Sequence, residues 1–279
     1  MTAFKSVHPI LPDADAAMLD APCRKCQYNL RGLASDGRCP ECGTPVAFST
    51  QGDLIRYSDP AWIRSIRRGV IFSMIATAIG VVAMLLAFAF RGNQIAQIAS
   101  SFIVELFFLI GAWLLTMPDP GGVGEDKYGR ARRVIRFTLF VGLANHAVTF
   151  ALQTSVWTPP ARAALQMLGC VAAVVGVVGQ FATLSYLSQL ALRIPDDRIA
   201  RRAHFLMYAL GMSDAVFVVL KVWVLFARPR AWAAVVFGLI SLLTILALVV
   251  FVMMDLIMLL KLQKRLKEQA VLAAQIWVS

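Results

Sequence analysis

The run AWAAVVFGLISLLTILALVVFVMMDLIMLL, residues 231–260, contains a single charged side chain, Asp255. As an α-helix rising ~1.5 Å per residue, it is long enough to cross the ~30 Å of hydrocarbon in a bilayer. Five further segments share its length and apolar composition: about 69–90, 94–117, 134–157, 163–192 and 203–227. We therefore predict an all-α polytopic membrane protein with six transmembrane helices between residues 69 and 260.

The composition of the whole chain agrees with this class. Of its 279 residues, 59% are hydrophobic and only 15% are charged, whereas soluble domains have about a quarter of their residues charged. This excludes an ordinary cytosolic enzyme. The sequence also lacks a serine-centred elbow, an HExxH motif or paired acidic metal motifs, so it argues against an enzyme more than for one.

Basic residues orient the predicted spans. Lys and Arg concentrate before span one, between spans two and three, between spans four and five, and after span six. The opposite side has only Arg91, Arg162, Arg228 and Arg230. The positive-inside rule then places both termini of this multi-pass protein in the cytoplasm. The same distribution accounts for much of the net charge of +11.

The N-terminal head holds four of the five cysteines. Residues 1–21 have no apolar core of a signal peptide and are predicted to be a disordered lead. Cys23, Cys26, Cys39 and Cys42 follow in a C-x2-C-x12-C-x2-C array over residues 22–46. Two tight turns of this kind present four thiolates to one ion, which predicts a structural Zn(II) site with no open position. Two disulfides and a rubredoxin-like iron site are the alternatives.

A family resemblance supports this interpretation. The runs CRKCQYNLRGL, residues 23–33, and GRCPECG, residues 37–43, resemble the short zinc ribbon that heads many multi-spanning membrane proteins of unknown function, common in planctomycete bacteria. The resemblance covers residues 22–46 and implies the fold of the head and a bacterial origin, and with it a location in the inner membrane, without an assigned reaction. Gln27 departs from it, since such ribbons usually have Gly after the second Cys.

The head is also basic, which raises the question of a polyanionic partner. Arg24, Lys25, Arg31 and Arg38 would suit nucleic acid or anionic lipid. However, Tyr28 is the one candidate aromatic for stacking, and no long basic stripe is present. The sequence therefore argues against nucleic acid and favours a solvated surface beside the lipid bilayer.

Two segments flank the membrane domain. Residues 47–68 are predicted to be a linker and an interfacial helix, in which Asp59 caps the helix that begins at Pro60 and Trp62 lies at the interface. Residues 261–279 form an amphipathic helix with an apolar stripe. We expect this tail on the inner leaflet, beneath the bundle or at a dimer contact. The stripe comprises Leu262, Leu266, Ala270, Ala273 and Trp277.

Recurring motifs suggest three tandem helical hairpins. Basic pairs at Arg67-Arg68, Arg132-Arg133 and Arg201-Arg202 precede the odd-numbered spans. When the three odd-numbered spans are aligned on these pairs, mostly small or polar residues fall at the same positions on one helical face. This stripe predicts that the odd-numbered spans pack inside around a pseudo-threefold axis. The stripe comprises Ser73, Thr77 and Gly80; Thr138, Gly142 and Asn145; and Met207, Gly211 and Asp214.

Ionisable and polar residues within the spans form the second candidate site. Asn145, His146 and Asp214 fall at similar depth, and Glu105 could reach them. Lys221 is on the face of Asp214, and Asp255 lies near the cytoplasmic end of span six. A charge at the bilayer centre costs at least ~2.5–3.5 kcal/mol, so these groups are expected to face the bundle interior. They could be a proton or ion relay with His146 titrating, a structural polar cluster, or, for Asp214, a partner of Lys221.

Two functions are consistent with these features. The first is a membrane-anchored binding or scaffold module whose ribbon recruits a cytoplasmic protein partner. The alternative is a small transporter or channel that uses the mid-membrane cluster and is regulated by the ribbon. The transporter requires a water-accessible cavity that reaches Glu105, His146 and Asp214, and the scaffold does not.

Overall fold

The computed structural model describes residues 21–50, 54–89, 94–120, 125–194, 196–226 and 231–278. Within these ranges, the side chains of residues 84–89, 94, 95, 125–128, 221, 224–226, 231–234 and 278 lie outside the description. The predicted lead, residues 1–21, falls almost entirely outside the described residues. The side chain of Lys221 also lies outside them.

The described chain is helical after the ribbon. A short helix, α1, spans Ala47–Thr50, and a single 3-10 turn spans Ile55–Tyr57. The long helices are α2 (Pro60–Ala89), α3 (Gln94–Leu115), α4 (Glu125–Thr154), α5 (Pro159–Ala191), α6 (Asp197–Phe226) and α7 (Ala231–Val278). All six are long and apolar enough to cross a membrane. The prediction of an all-α polytopic membrane protein is confirmed.

The six long helices form a ring. Each helix packs against its neighbours in sequence, and α7 closes the ring against α2. Spans one, three and five are the helices α2, α4 and α6. Among the described residues, these three helices do not pack against one another at the centre of the ring. The prediction that the odd spans pack together inside is therefore wrong, whereas the pseudo-threefold axis is compatible with a ring of six helices and stays a prediction. Within the membrane-spanning segments, large apolar residues are exposed on the outer surface as well as buried in the core, so hydrophobicity alone does not select which face packs.

Packing within the ring is uneven along its axis. The end next to the ribbon, called here the ribbon side, holds most of the buried core, including Ile66, Ile135, Leu190 and Leu262. Towards the opposite end, the far side, the described parts of α3, α5 and α7 have no buried residues before Gly111, Gly179 and Met258. The ring is thus tightly closed on the ribbon side and loosely packed on the far side.

A buried polar junction helps to close the ribbon side. The Arg193 guanidinium, at the end of α5, donates to the Asp119 carboxylate after α3 over 3.1 Å and to the Ser58 hydroxyl over 3.0 Å. The indole of Trp62 donates to the Met117 carbonyl over 3.0 Å, and the Tyr186 hydroxyl donates to the Leu115 carbonyl over 2.9 Å. These contacts join the ends of α3 and α5 to the start of α2.

The flanking segments belong to the helices they were predicted to adjoin. As expected, α2 begins at Pro60, and the Asp59 carboxylate accepts from the Ala61 amide over 2.6 Å. Trp62, predicted at the membrane interface, is buried within the protein. The C-terminal tail continues α7 without a break, and its residues Leu262 and Leu266 are buried.

Candidate functional site

The four cysteines of the head converge on one point. Their sulfur atoms all lie within 4.8 Å of one another. The Sγ atoms of Cys23 and Cys42 are 3.6 Å apart, and those of Cys26 and Cys39 are 3.5 Å apart. All four are free thiols. The cluster can hold a metal ion, and four sulfur ligands would complete a tetrahedral shell without room for water or substrate.

Backbone hydrogen bonds explain why the thiols converge. In the first turn, the Cys23 amide donates to the Tyr28 carbonyl over 2.7 Å and the Gln27 amide to the Cys23 carbonyl over 2.8 Å. In the second turn, the Cys39 amide donates to the Thr44 carbonyl over 2.8 Å and the Gly43 amide to the Cys39 carbonyl over 2.9 Å. The two turns are therefore copies of one knuckle.

The residue after each second cysteine has a left-handed backbone. Gly43 has φ of +67°, which glycine adopts at little cost, and Gln27 has φ of +63°. Gln27 is the position where the sequence departs from the ribbons it resembles. The first knuckle therefore stores backbone strain that the second knuckle avoids, because a side chain at positive φ crowds the following carbonyl.

Hydrogen bonding also favours the ionised form of one thiol. The Sγ atom of Cys42 lies 3.2 Å from the Thr44 hydroxyl oxygen. This hydrogen bond is the main influence that lowers the pKa of Cys42 from 9.0 to about 6. A thiolate, rather than a thiol, is the form that binds a metal.

The two knuckles have different surroundings. The Arg38 guanidinium donates to the carbonyls of Ile276 and Trp277 at the end of α7. Because the last carbonyls of a helix lack partners within it, this arginine caps α7. In contrast, Cys26 and Tyr28 of the first knuckle are exposed. The ribbon is thus attached to the bundle through its second knuckle, and its first knuckle faces away from that contact.

The second candidate site is a cavity of about 590 Å³ inside the ring. All six long helices contribute to its wall. It extends from Thr77 and His146, in the loosely packed half, to Leu187 and Leu259, next to the packed ribbon side. This volume is within the ~300–1,000 Å³ range of small-molecule sites.

The cavity brings together the polar residues predicted from the sequence. Glu105, Asn145, His146 and Asp214 all line it. The aligned stripe on the odd spans lines it too, apart from Met207 and Gly211. The stripe was thus a signal for the cavity wall and not for close packing of the odd spans. For Lys221, the predicted partner of Asp214, the side chain lies outside the described residues.

Two parts of the cavity wall were missing from the predicted cluster: one residue of α7 and one face of α5. Asp255 of α7 lines the cavity, although the sequence places this residue nearer the ribbon side. On α5, Gly176, Gly179, Gln180 and Thr183 also line it. Their spacing of three and four residues follows one helical face, so a search of the even spans for small and polar residues could have found them.

Glycines make room for two of the polar side chains. A Cβ added to Gly142 would lie 2.5 Å from Oε1 of Glu105, and one added to Gly179 would clash with the Thr138 hydroxyl oxygen. Both approaches are closer than van der Waals contact. Glycine at these positions therefore lets Glu105 approach α4 and lets Thr138 approach α5.

The charge of the cavity wall is one-sided. Three carboxylates, Glu105, Asp214 and Asp255, line the cavity, and no Lys or Arg side chain does so among those the structure describes. Oδ1 of Asp255 is buried and has no hydrogen-bond partner there. The three carboxylates are not close enough to hold one metal ion, since the cysteine cluster is the single such group in the described chain.

Comparisons with known proteins give no relative for this chain: no family model, no curated protein and no solved structure matches it. Its function therefore has to be argued from the two sites themselves.

Proposed function

We propose that this integral membrane protein is a small transporter whose substrate passes through the central cavity. One observation supports this most directly: Glu105, Asn145, His146 and Asp214, which belong to three different helices, line a single cavity. A purely structural polar cluster would be expected to pair these groups with one another in dry contact. A substrate pathway needs polar groups around a space large enough for a solute, which matches their arrangement here.

The uneven packing of the ring indicates on which side of the membrane the cavity is open. The cavity is closed at the ribbon side by the buried core and by the Asp119–Arg193 pair, and the far half is loosely packed. A transporter in this state would be open to the far side. If the positive-inside rule holds, the ribbon and both termini are cytoplasmic and the cavity opens away from the cytoplasm of a bacterial cell.

Zn(II) is the metal we assign to the cysteine cluster. Four thiolates in a closed tetrahedral arrangement suit Zn(II) and leave it no catalytic role. Because the ribbon, residues 22–46, is too short to bury much apolar surface, metal binding would supply much of its folding free energy. Because Arg38 attaches the ribbon to the end of α7, loss of the metal would free a helix that also lines the cavity. This gives the ribbon a regulatory role.

A scaffold function for the ribbon is the second candidate, favoured by the exposure of its first knuckle. Tyr28 is 40% exposed beside exposed Lys25 and Arg31. A cytoplasmic protein bound there would be lost in a Cys39→Ser variant, which should still insert into the membrane. Capture of the partner by Cys39→Ser would exclude this function.

Accessibility of the cavity tests the transporter function. In a Cys170→Ser background, Asn145→Cys places a thiol in the cavity wall, and Phe140→Cys on the same helix places one on the outer surface, where Phe140 is 52% exposed. A membrane-impermeant thiol reagent applied to the far side should label Asn145→Cys and spare Phe140→Cys, which would face lipid. Absence of labelling at Asn145→Cys from both sides would exclude a solute pathway.

A further inference from the structure

We propose that the central cavity binds an organic cation and that Asp255 is its counterion. This inference rests on the proposed transport function and specifies the chemical class of the substrate.

The first argument is the sign of the charge in the cavity. Its wall includes the carboxylates of Glu105, Asp214 and Asp255 and no described Lys or Arg side chain. Carboxylates enclosed by low-dielectric walls attract cations and repel anions. The chain is strongly basic overall, with a net charge of +11, so the acidic interior is a local property of the cavity.

The second argument is the state of Asp255. Its Oδ1 is buried without a hydrogen-bond partner among the described residues, while the residue lines the cavity. Buried polar atoms in proteins almost always have a partner, and a buried carboxylate without one lowers stability. Because the residue itself lines the cavity, a cation bound there would be a charge partner for this carboxylate, which forms no ion pair with a described residue. A buried, unpaired carboxylate that is kept although it lowers stability is typical of a functional site.

The third argument distinguishes an organic cation from a metal ion. A bound metal needs several oxygen or nitrogen ligands about one point, and the three carboxylates do not converge in this way. The rest of the wall is largely apolar, with Val70, Phe108, Leu187 and Val252 beside polar residues such as Thr77 and Gln180. A cavity of about 590 Å³ with apolar walls and separate carboxylates fits a positively charged group attached to an apolar body.

Equilibrium binding to the full-length protein in detergent tests this assignment. The probe is radiolabelled tetraethylammonium, whose charge does not depend on pH and whose ethyl groups are apolar. We expect saturable binding that Asp255→Asn weakens about tenfold or more. Glu268→Gln is the matched control, because the Glu268 side chain is 42% exposed and lies on the same helix outside the cavity. It should bind like the wild type.

A neutral competitor checks the role of the charge. Triethylphosphine oxide is similar in shape but uncharged, and it should not displace the probe. The assignment is overturned if Asp255→Asn binds as tightly as the wild type, if the neutral compound displaces the probe, or if the wild type does not bind it. In each of these cases, labelling of Asn145→Cys from the far side would leave the transport function standing.

Discussion

Arg193 and Asp119 form an ion pair that is almost completely removed from solvent: the exposed fractions of their side chains are 4% and 1%, and the closest nitrogen and oxygen atoms are 3.1 Å apart. The Ser58 hydroxyl donates to the same carboxylate over 3.0 Å. The pair joins the ends of two even-numbered spans, α5 and α3, where the ring is closed.

Asp119→Ala should strongly destabilise the protein. It would leave the Arg193 guanidinium buried without its carboxylate, and loss of one partner from a buried pair costs about 3–5 kcal/mol. Thermal unfolding in detergent, followed by the near-ultraviolet signal of the tryptophans, would measure this loss.

Asp196→Ala is the matched control for that prediction. Asp196 follows α5 as Asp119 follows α3. Its carboxylate pairs with Arg265 over 3.2 Å, but the Arg265 side chain is 48% exposed. Solvent screens an exposed pair, so its removal should have a much smaller effect. Equal losses for the two variants would show that Asp119 and Arg193 are not buried together.

Gln27→Gly should stabilise the ribbon. Gln27 has φ of +63°, and replacing it by glycine relieves a strain of about 1 kcal/mol. Since metal binding is coupled to folding, the apparent affinity for Zn(II) should rise about fivefold in a chelator competition.

The reciprocal variant, Gly43→Ala, should lower the affinity for Zn(II) by a similar factor. A Cβ on Gly43 meets no heavy atom within 4 Å, so its effect would come from the backbone conformation alone. An unchanged affinity in both variants would mean that the two knuckles do not share this geometry.

Metal content should depend on the four ribbon cysteines and not on the fifth. Elemental analysis of the purified protein is expected to find one zinc per chain, and Cys39→Ser should lose most of it because three thiolates hold the ion more weakly. Cys170→Ser should keep it, since Cys170 lies in α5. Iron in place of zinc, or retention of zinc by Cys39→Ser, would contradict the assigned site.

Gly142→Ala should impair transport by displacing the Glu105 carboxylate, whose Oε1 would lie 2.5 Å from the new Cβ. Gly176→Ala is the control, because Gly176 lines the same cavity but a Cβ there meets no heavy atom within 4 Å. Uptake assays in proteoliposomes should show reduced uptake for Gly142→Ala alone. Equal effects of the two substitutions would indicate that added volume, and not the position of Glu105, is what matters.

Local patterns in the sequence predicted the individual elements of this protein better than they predicted how those elements pack together. The six spans, the cap at Asp59 and the convergence of the four cysteines follow from length, capping chemistry and ligand spacing, which act over a few residues. The burial of Trp62 and the pairing of Asp119 with Arg193 depend on which helices become neighbours. Apolar residues on every face of a membrane helix leave that choice open.

The same distinction applies to the cavity. Glu105, His146 and Asp214 could be predicted to face the interior because the bilayer penalises a charge on the outside. Asp255 could be expected to face the interior for the same reason, but its place in one cavity with Glu105 and Asp214 depends on α7 closing the ring against α2. The strain at Gln27 was visible as a departure from the ribbons that the head resembles, but its size required the backbone angle.

Uptake of radiolabelled tetraethylammonium into proteoliposomes is the most direct test of the claim that the acidic cavity carries a cation across the membrane. The wild type and Glu268→Gln should accumulate the probe under an inside-negative potential, whereas His146→Ala and Asp255→Asn should not. Uptake by the wild type no greater than that of protein-free liposomes would contradict the claim.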